Sequence, residues 1–374
     1  MTRLPPPART GMRLVEVDTP ALLLDLEAFE GNLDRLDQSL AGSKVRVRPH
    51  SKSHKCPEIA LRQMAHGAVG VCCQKVSEAE TMVEGGVMNV MVSNEVVGAS
   101  KISRLAALGK RARVSVCVDD AQNVADLDAA ARTAGATLDV LIEVNVGSNR
   151  CGVNPGQPVI ELANRITALK NLRFAGLQAY QGAAQHARTA AERRSAISKA
   201  VQQVRMTVEL LHEHGIKPEI ITGAGTGTYL HESGSGIYNE IQPGSYIFMD
   251  ADYNRNLDED GKPLRYFEQS LFVWATIMSH AVPERAVVDA GLKALSVDSG
   301  MPLVAGLPGV EFVRASDEHG VLRLPAGTKL KVGEKIRLIP GHCDPTVNLY
   351  DWIVGVRGDN VESVWPVTAR GAFY

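Results

Sequence analysis

The chain has 374 residues, 45 % apolar and 22 % charged, with a formal net charge of −2. That is enough apolar material for a large core and more than one domain. Acids and bases are interspersed, so no nucleic-acid partner is expected. No run of about 18 apolar residues exists, so no membrane span is expected either.

The segment beginning Met1-Thr2-Arg3-Leu4 lacks an apolar stretch and does not read as a secretory signal. Six cysteines (Cys56, Cys72, Cys73, Cys117, Cys151 and Cys343) contain no CxxC pair. They read as free thiols in a reducing cytoplasm. Leu14–Val17 is a short β-like stretch. From about residue 20 to 255, short β-branched runs alternate with amphipathic helical stretches. Strands are expected near 45–48, 69–73, 89–93, 114–118, 140–146, 174–180, 219–222 and 246–249. Helical stretches include 121–134, 159–169 and 191–214. Eight such units predict a (β/α)8 barrel, with a doubly wound open sheet as the alternative; the lack of an early GxGxxG motif favours the barrel. After Tyr253 the pattern becomes short and β-rich, predicting an all-β domain. The expected division is a barrel over residues 18–255 and a C-terminal β domain over 256–374, with residues 1–17 pairing with the latter.

Lys52 lies in the run Arg48-Pro49-His50-Ser51-Lys52-Ser53-His54-Lys55, at the C-terminal end of the first expected strand. In such barrels, catalytic groups sit at those strand ends. Burial and cationic neighbours lower a lysine pKa, and the neutral amine traps carbonyl groups. A solvated basic loop is the bland alternative. Asn145 and Gly147–Arg150 follow strand five; Gln178, Tyr180 and His186 lie at and beyond strand six. Gly223–Thr228 follows strand seven and opens a helical segment, and Gln242–Tyr246 leads into strand eight. Two glycine-containing loops there match the phosphate site expected after strands seven and eight. His342-Cys343-Asp344 follows an apolar run. In an extended segment, residues i and i+2 face the same way. His342 and Asp344 would then share a divalent ion, leaving positions for water and substrate. A polar turn before Pro345 is the alternative. Asp317-Glu318-His319 reads as a turn before Gly320.

These blocks resemble the D-threonine aldolase and D-serine dehydratase family, fold type III pyridoxal-phosphate enzymes related to alanine racemase. The likeness spans nearly the whole chain. It includes Cys72–Ala79, Gly147–Val153, Gln178–Gly182, Gly244–Asp252, Asp289–Lys293 and Pro340–Pro345. The resemblance implies that Lys52 carries the cofactor as a Schiff base, with Arg150 against its phenolic oxygen and Tyr180 beside the linkage. It assigns cofactor contacts to Thr222, Gly225, Thr226, Gln242, Gly244, Ser245 and Tyr246, with Gln242 facing the pyridine nitrogen. His342 and Asp344 would bind the metal, Mn²⁺ or another divalent ion. The related dehydratases resemble His-x-Cys there, so Asp344 resembles the aldolase branch. The implied activity is that of a lyase cleaving small D-3-hydroxy-amino acids, D-threonine to glycine and acetaldehyde. Lys52, His186 and Tyr180 are the candidate catalytic residues, with His186 or metal-bound water as the base. The resemblance extends to 3-hydroxyaspartate aldolases releasing glyoxylate and to D-serine or 3-hydroxyaspartate dehydratases. A pyridoxal-phosphate homeostasis protein without a reaction and a metal hydrolase without organic cofactor are further alternatives. A cytoplasmic homodimer is expected.

Overall fold

A computed structural model describes residues 5–374, so Met1–Leu4, part of the segment read for a signal, lies outside the described residues. The first half of the chain runs β1 (Ala21–Asp25), α1 (Leu26–Ser39), β2 (Arg46–Val47), α2 (Pro57–Ala65), β3 (Val71–Cys73), α3 (Val76–Glu84), β4 (Asn89–Glu95), α4 (Ala99–Leu108) and β5 (Arg113–Val118). It continues through α5 (Ala121–Ala134), β6 (Leu138–Glu143), α6 (Gln157–Thr167), β7 (Leu172–Gln178), α7 (Ala190–Glu213), β8 (Ile220–Gly223), α8 (Tyr229–Ser233) and β9 (Glu240–Ile241). Local chemistry sets the helix ends. Asp120 accepts the Asn123 N–H at 2.8 Å to start α5, and Gly135 ends it in the left-handed region. Thr189 and Glu192 form a capping box at the start of α7.

Strands β2 to β9 form one parallel eight-stranded sheet. Its end strands β2 and β3 meet through a parallel bridge between His50 and Cys72, which closes the barrel. Cys72, Met91, Cys117, Leu141, Ala175 and Ile220, one from each strand from β3 to β8, pack together as a buried cluster. They fill the lumen, as expected for such barrels.

The β domain comprises β10 (Leu271–Val282), β11 (Arg285–Val288), β12 (Leu303–Val304), β13 (Glu311–Ala315), β14 (Gly320–Arg323), β15 (Lys335–Ile339), the short helix α9 (Cys343–Val347), β16 (Trp352–Arg357) and β17 (Asn360–Pro366). With β1 they make a nine-stranded sheet ordered β11-β14-β13-β12-β15-β10-β1-β16-β17. Its pairs are antiparallel except β1 with β16. One core joins this sheet to the barrel through Leu22, Leu24, Phe29, Tyr246, Phe248, Val273 and Ile353. The opposite face buries Ala21, Leu23, Phe272 and Val354 under Ala8, Leu14 and Val17.

Three expectations are corrected. The eighth barrel strand is Glu240–Ile241; residues 246–249, read as that strand, begin in a 3-10 turn (Ser245–Ile247). The apolar run Tyr246-Ile247-Phe248 is buried in the core between barrel and sheet, and a two-residue strand carrying Glu240 has almost no periodic signal. Gln242–Ser245 therefore follow strand eight, at the strand end where ligands bind. Ala21–Asp25, inside the segment read as barrel, lies in the middle of the nine-stranded sheet, buried on both faces. Leu14–Glu16 is a 3-10 turn, not a strand. It still joins the β domain, through Leu14 N–H to Asp359 O at 2.8 Å and an Arg13–Asn360 bridge. Residues 317–319 form the turn between β13 and β14, as read.

A buried ion pair supports barrel closure. Arg48, just after β2, donates Nε to Glu240 Oε1 at 2.9 Å and Nη1 to Asn89 Oδ1 at 2.9 Å, linking β2, β9 and β4. Arg48→Ala would leave fully buried Glu240 with only Arg46, at 3.6 Å, for compensation. The expected loss is about 3 kcal/mol, read as a lower urea midpoint. An unchanged midpoint would remove this pair from the closure.

Candidate active site

A cavity of about 260 Å³ opens at the C-terminal ends of the barrel strands, beside the β domain. Lys52 lines it from a 3-10 turn (Ser51–Ser53) that follows β2. The preceding His50 accepts the Lys52 backbone N–H on Nδ1 at 3.3 Å, so the lysine is presented by a capped turn. Lys52 Nζ donates to Asp344 Oδ2 at 2.6 Å. The Asp344 carboxylate, against the crowding of protein around the amine, holds the ammonium above its ordinary value. This reverses the expectation of a lowered lysine pKa, because a carboxylate 292 residues away arrives from the β domain. Burial opposes the charge on Asp344, but Lys52 and His342 outweigh it and hold the carboxyl below the usual range.

Two glycine-containing loops also line the cavity, and that of Gly244 packs against the His50–Ser53 turn that carries Lys52. Ala224, Gly225 and Thr226 line it after β8, and Gly244 and Ser245 after β9. Ala224 adopts φ +65°, and a Cβ on Gly225 would stand 2.5 Å from Gln185 Oε1, so this loop needs its glycine. Thr226 Oγ1 is buried and finds no partner among the described residues, as expected of a hydroxyl built to meet an anion. The Tyr246 side chain is buried, its hydroxyl accepting from Gln63 at 3.1 Å, so only its backbone can serve a ligand.

Beneath the loops lies a buried network that the sequence reading missed. Gln185 accepts the Gly227 N–H at 3.0 Å and donates to Thr228 Oγ1 at 2.8 Å; Thr228 donates to Glu232 Oε1 at 2.8 Å.

Gln242 lines the cavity and makes a reciprocal amide pair with Gln178. Its Nε2 also donates to Thr222 Oγ1 at 2.9 Å. Thr222 is fully buried and stands behind Gln242, not in the lining. Arg150 lies 5.9 Å from the Tyr180 ring centre, and both line the cavity. His50, Gln74, Ser93 and Tyr253 also line it. His50 Nε2 meets Gln74 Oε1 at 3.0 Å. Burial first, then Lys52, pushes its pKa down to about 3, so His50 is neutral, with the proton assigned to Nε2 from these partners. Gln74 and Ser93 directly follow β3 and within β4, where the strand-end rule applied to every strand would have found them.

His186 is not in the lining. Its ring packs 5.2 Å from that of Tyr253, and its Nδ1 is held by Asp252, which also binds Arg188 and Arg255.

The extended i, i+2 geometry expected for His342 and Asp344 does not occur. His342 is extended, but α9 begins at Cys343, and Asp344 lies in its first turn. His342 is nevertheless near enough to help hold the Asp344 carboxyl below its usual range. His342 Nδ1 meets Asp298 Oδ2 at 2.8 Å, which leaves Nε2 for a ligand. A carboxylate behind a histidine is the usual support of a metal-ligating imidazole. Among the described residues no group of three or more His, Cys, Asp or Glu side chains forms a metal cage. One nitrogen and one carboxylate nonetheless fit a divalent cation that keeps open positions. Asp298 had no sequence signal: it lies 44 residues from His342 in an irregular loop.

Burial raises the Glu232 carboxyl to about 8. A folded acid with a raised pKa binds more protons than the unfolded chain between about pH 4.3 and 8, so stability falls as pH rises through that window. Glu232→Gln mimics the protonated acid. The variant should gain on the wild type between pH 5 and 8, by up to about 1.4 kcal/mol per pH unit. Urea midpoints at both pH values measure it; parallel slopes would place the Glu232 pKa in the ordinary range.

A sequence model of the alanine racemase N-terminal domain matches residues 24–252, and one of a serine dehydratase domain matches residues 270–356. The chain is 50 % identical over 372 residues to a 3-hydroxy-D-aspartate aldolase of Paracoccus denitrificans (strain Pd 1222), covering 98 % of this chain and 96 % of that protein. It is 48 % identical to a D-threonine aldolase of an Arthrobacter species, covering 98 % and 97 %. The crystal structure of D-threonine aldolase from Filomicrobium marinum superposes with a TM-score of 0.94 at 51 % identity, covering 98 % of this chain and all of that one. The fold alone extends to an alanine racemase of Clostridium difficile 630, with a TM-score of 0.74 at 12 % identity, covering 94 % and 99 %. Matched over nearly its whole length, this chain belongs to the alanine racemase-like family of the D-threonine and 3-hydroxy-D-aspartate aldolases.

Proposed function

We propose that this protein is a pyridoxal-phosphate and divalent-metal dependent lyase that cleaves the Cα–Cβ bond of D-3-hydroxy-amino acids, giving glycine and an aldehyde. The observation that carries the reading is the Lys52 amine lining one cavity with two glycine-containing loops and an unpartnered Thr226 hydroxyl, while Asp344 of the His342 turn, itself outside the lining, bonds that amine.

Pyridoxal phosphate joined to Lys52 supplies an electron sink at Cα, and a divalent cation on His342 and Asp344 supplies a Lewis acid for the β-hydroxyl. Gly225, Thr226, Gly244 and Ser245 receive the phosphate. Gln242 presents a neutral amide whose polar atoms Gln178 and Thr222 already engage, so it offers no proton to the pyridine nitrogen. Arg150 supplies positive charge beside Tyr180. Lys52 must lose a proton before it attacks a carbonyl. Asp344 holds the Lys52 ammonium and is also the carboxylate that would hold the cation together with His342. His186, a candidate base, is held by Asp252 against the Tyr253 ring and outside the cavity lining, so it is not assigned the hydroxyl proton.

Mn²⁺ is the proposed cation. A cytoplasmic homodimer is the proposed state. All six cysteines are unpaired, which supports a reducing compartment. Exposed Met278, Leu292, Met301, Leu303 and Val313 of the β domain support an apolar contact between copies. Among the described residues no helix is long and apolar enough to cross a membrane.

Borohydride reduction of the cofactor-loaded protein, followed by peptide mapping, should label Lys52 alone; a label elsewhere or none removes the lysine from its role. Asp344→Ala should keep that label and lose about 10²-fold or more of kcat with Mn²⁺. Full metal-free activity in this variant would defeat the metal assignment. A panel of D-threonine, D-3-hydroxyaspartate and D-serine, assayed for aldehyde and for oxo-acid with ammonia, separates cleavage from dehydration and ranks the β-substituents. Oxo-acid as the main product would replace the aldolase reading by a dehydratase.

A further inference from the structure

Asp250 is fully buried, stands outside the lining of the active-site cavity and has no role in the chemistry above. Its carboxylate nevertheless joins two functional segments. One oxygen accepts the backbone N–H of Tyr253 at 2.9 Å, and the other accepts the backbone N–H of Cys343 at 2.9 Å. Tyr253 is a wall of the cavity. Cys343 opens α9, between His342 and Asp344. The flanking backbone reinforces the junction: Ala251 N–H donates to Pro340 O at 2.9 Å and Asp252 N–H to Gly341 O at 3.2 Å. Met249, immediately before, sits at φ +54°. Such a conformation persists in a non-glycine residue where its surroundings over-determine it.

The first turn of a helix leaves its N–H groups without intrahelical acceptors. A buried carboxylate on the Cys343 amide fixes where α9 starts, and that start sets how the His342 ring stands relative to the Asp344 carboxylate. We propose that Asp250 is the positioning residue of the cation site, locking the His342–Asp344 spacing to the Tyr253 wall so that cation and substrate share one register. The inference rests on the reading that His342 and Asp344 hold the cation. Asp298 acts on the ring of His342 alone, whereas Asp250 acts on the backbone between both ligands.

The test is calorimetric titration of Mn²⁺ into the cofactor-loaded protein. Wild type should bind and His342→Ala should not. Asp250→Asn keeps one acceptor and turns an N–H₂ towards the other amide. It should weaken Mn²⁺ binding by about 10–100-fold, leave the absorbance of Lys52-bound cofactor unchanged, and recover kcat at saturating Mn²⁺. A merely structural role would lower cofactor content together with metal affinity and would not respond to added Mn²⁺. Cys343→Pro removes the same bond from the other side and serves if Asp250→Asn does not fold. His342 (φ −144°, ψ 124°) suits a residue before proline, and the first helical position tolerates one. The double variant should bind no more weakly than either single one. A folded Asp250→Asn or Cys343→Pro holoenzyme with wild-type Mn²⁺ affinity overturns the proposal and leaves the cation assignment standing. Equal Mn²⁺ binding by wild type and His342→Ala overturns the assignment itself, and the proposal with it.

Discussion

Lys52 Nζ and Asp344 Oδ2 stand 2.6 Å apart although 292 residues separate them along the chain. The amine comes from the end of the first barrel strand and the carboxylate from the first turn of α9 in the β domain. Their contact joins the two domains at the site, because it holds a carboxylate of the β domain on the lysine amine that lines the cavity. The pair also has a chemical cost: a carboxylate that stabilises the ammonium withholds the neutral amine that attacks carbonyls. Whatever draws Asp344 away from Lys52 would lower the proton affinity of that amine.

The rest of the cavity is arranged around neutral polar groups. Gln178, Gln242 and Thr222 satisfy one another in the buried floor. His50 is neutral beside Lys52 because burial and the neighbouring ammonium both disfavour its charge. Glu232, beneath the loop of Gly225 and Thr226, is pushed towards its neutral acid form by burial, which spares that loop a nearby negative charge. Formal charge is concentrated at Lys52, Asp344 and Arg150 and at the Asp252 cluster beyond Tyr253. Such an arrangement reserves strong electrostatic effects for the reacting atoms and their immediate ligands.

The two domains are not consecutive blocks. β1 leaves the N-terminal segment to occupy the centre of the C-terminal sheet, flanked by β10 and β16. Its buried faces join the barrel-side core through Leu22 and Leu24 and the outer core through Ala21 and Leu23. The interface holding Asp344 over Lys52 is therefore continuous with the main hydrophobic core and cannot loosen without exposing it.

Sequence alone determined that Lys52 follows a strand, that a glycine loop follows another, and that the chain passes from alternating α/β units to a β-rich region. Those are local facts, carried by side-chain period, turn residues and neighbours within a few positions. Resemblance added expected roles for Arg150 and Tyr180, whereas the pairing of His342 with Asp344 was already expected from their spacing, in an extended geometry that does not occur. Tertiary structure decided what local pattern cannot carry. Tyr246-Ile247-Phe248 has the composition of a strand but is core, while Glu240–Ile241, with little strand signal, completes the barrel. Ala21–Asp25 reads equally well in either domain, because a run buried on both faces does not name its partners. Asp298 behind His342 and Glu232 beneath the phosphate loop lie in unremarkable sequence contexts. Their burial and partners exist only after distant segments meet, and it is that meeting that shifts a carboxyl pKa or frees one imidazole nitrogen for a ligand.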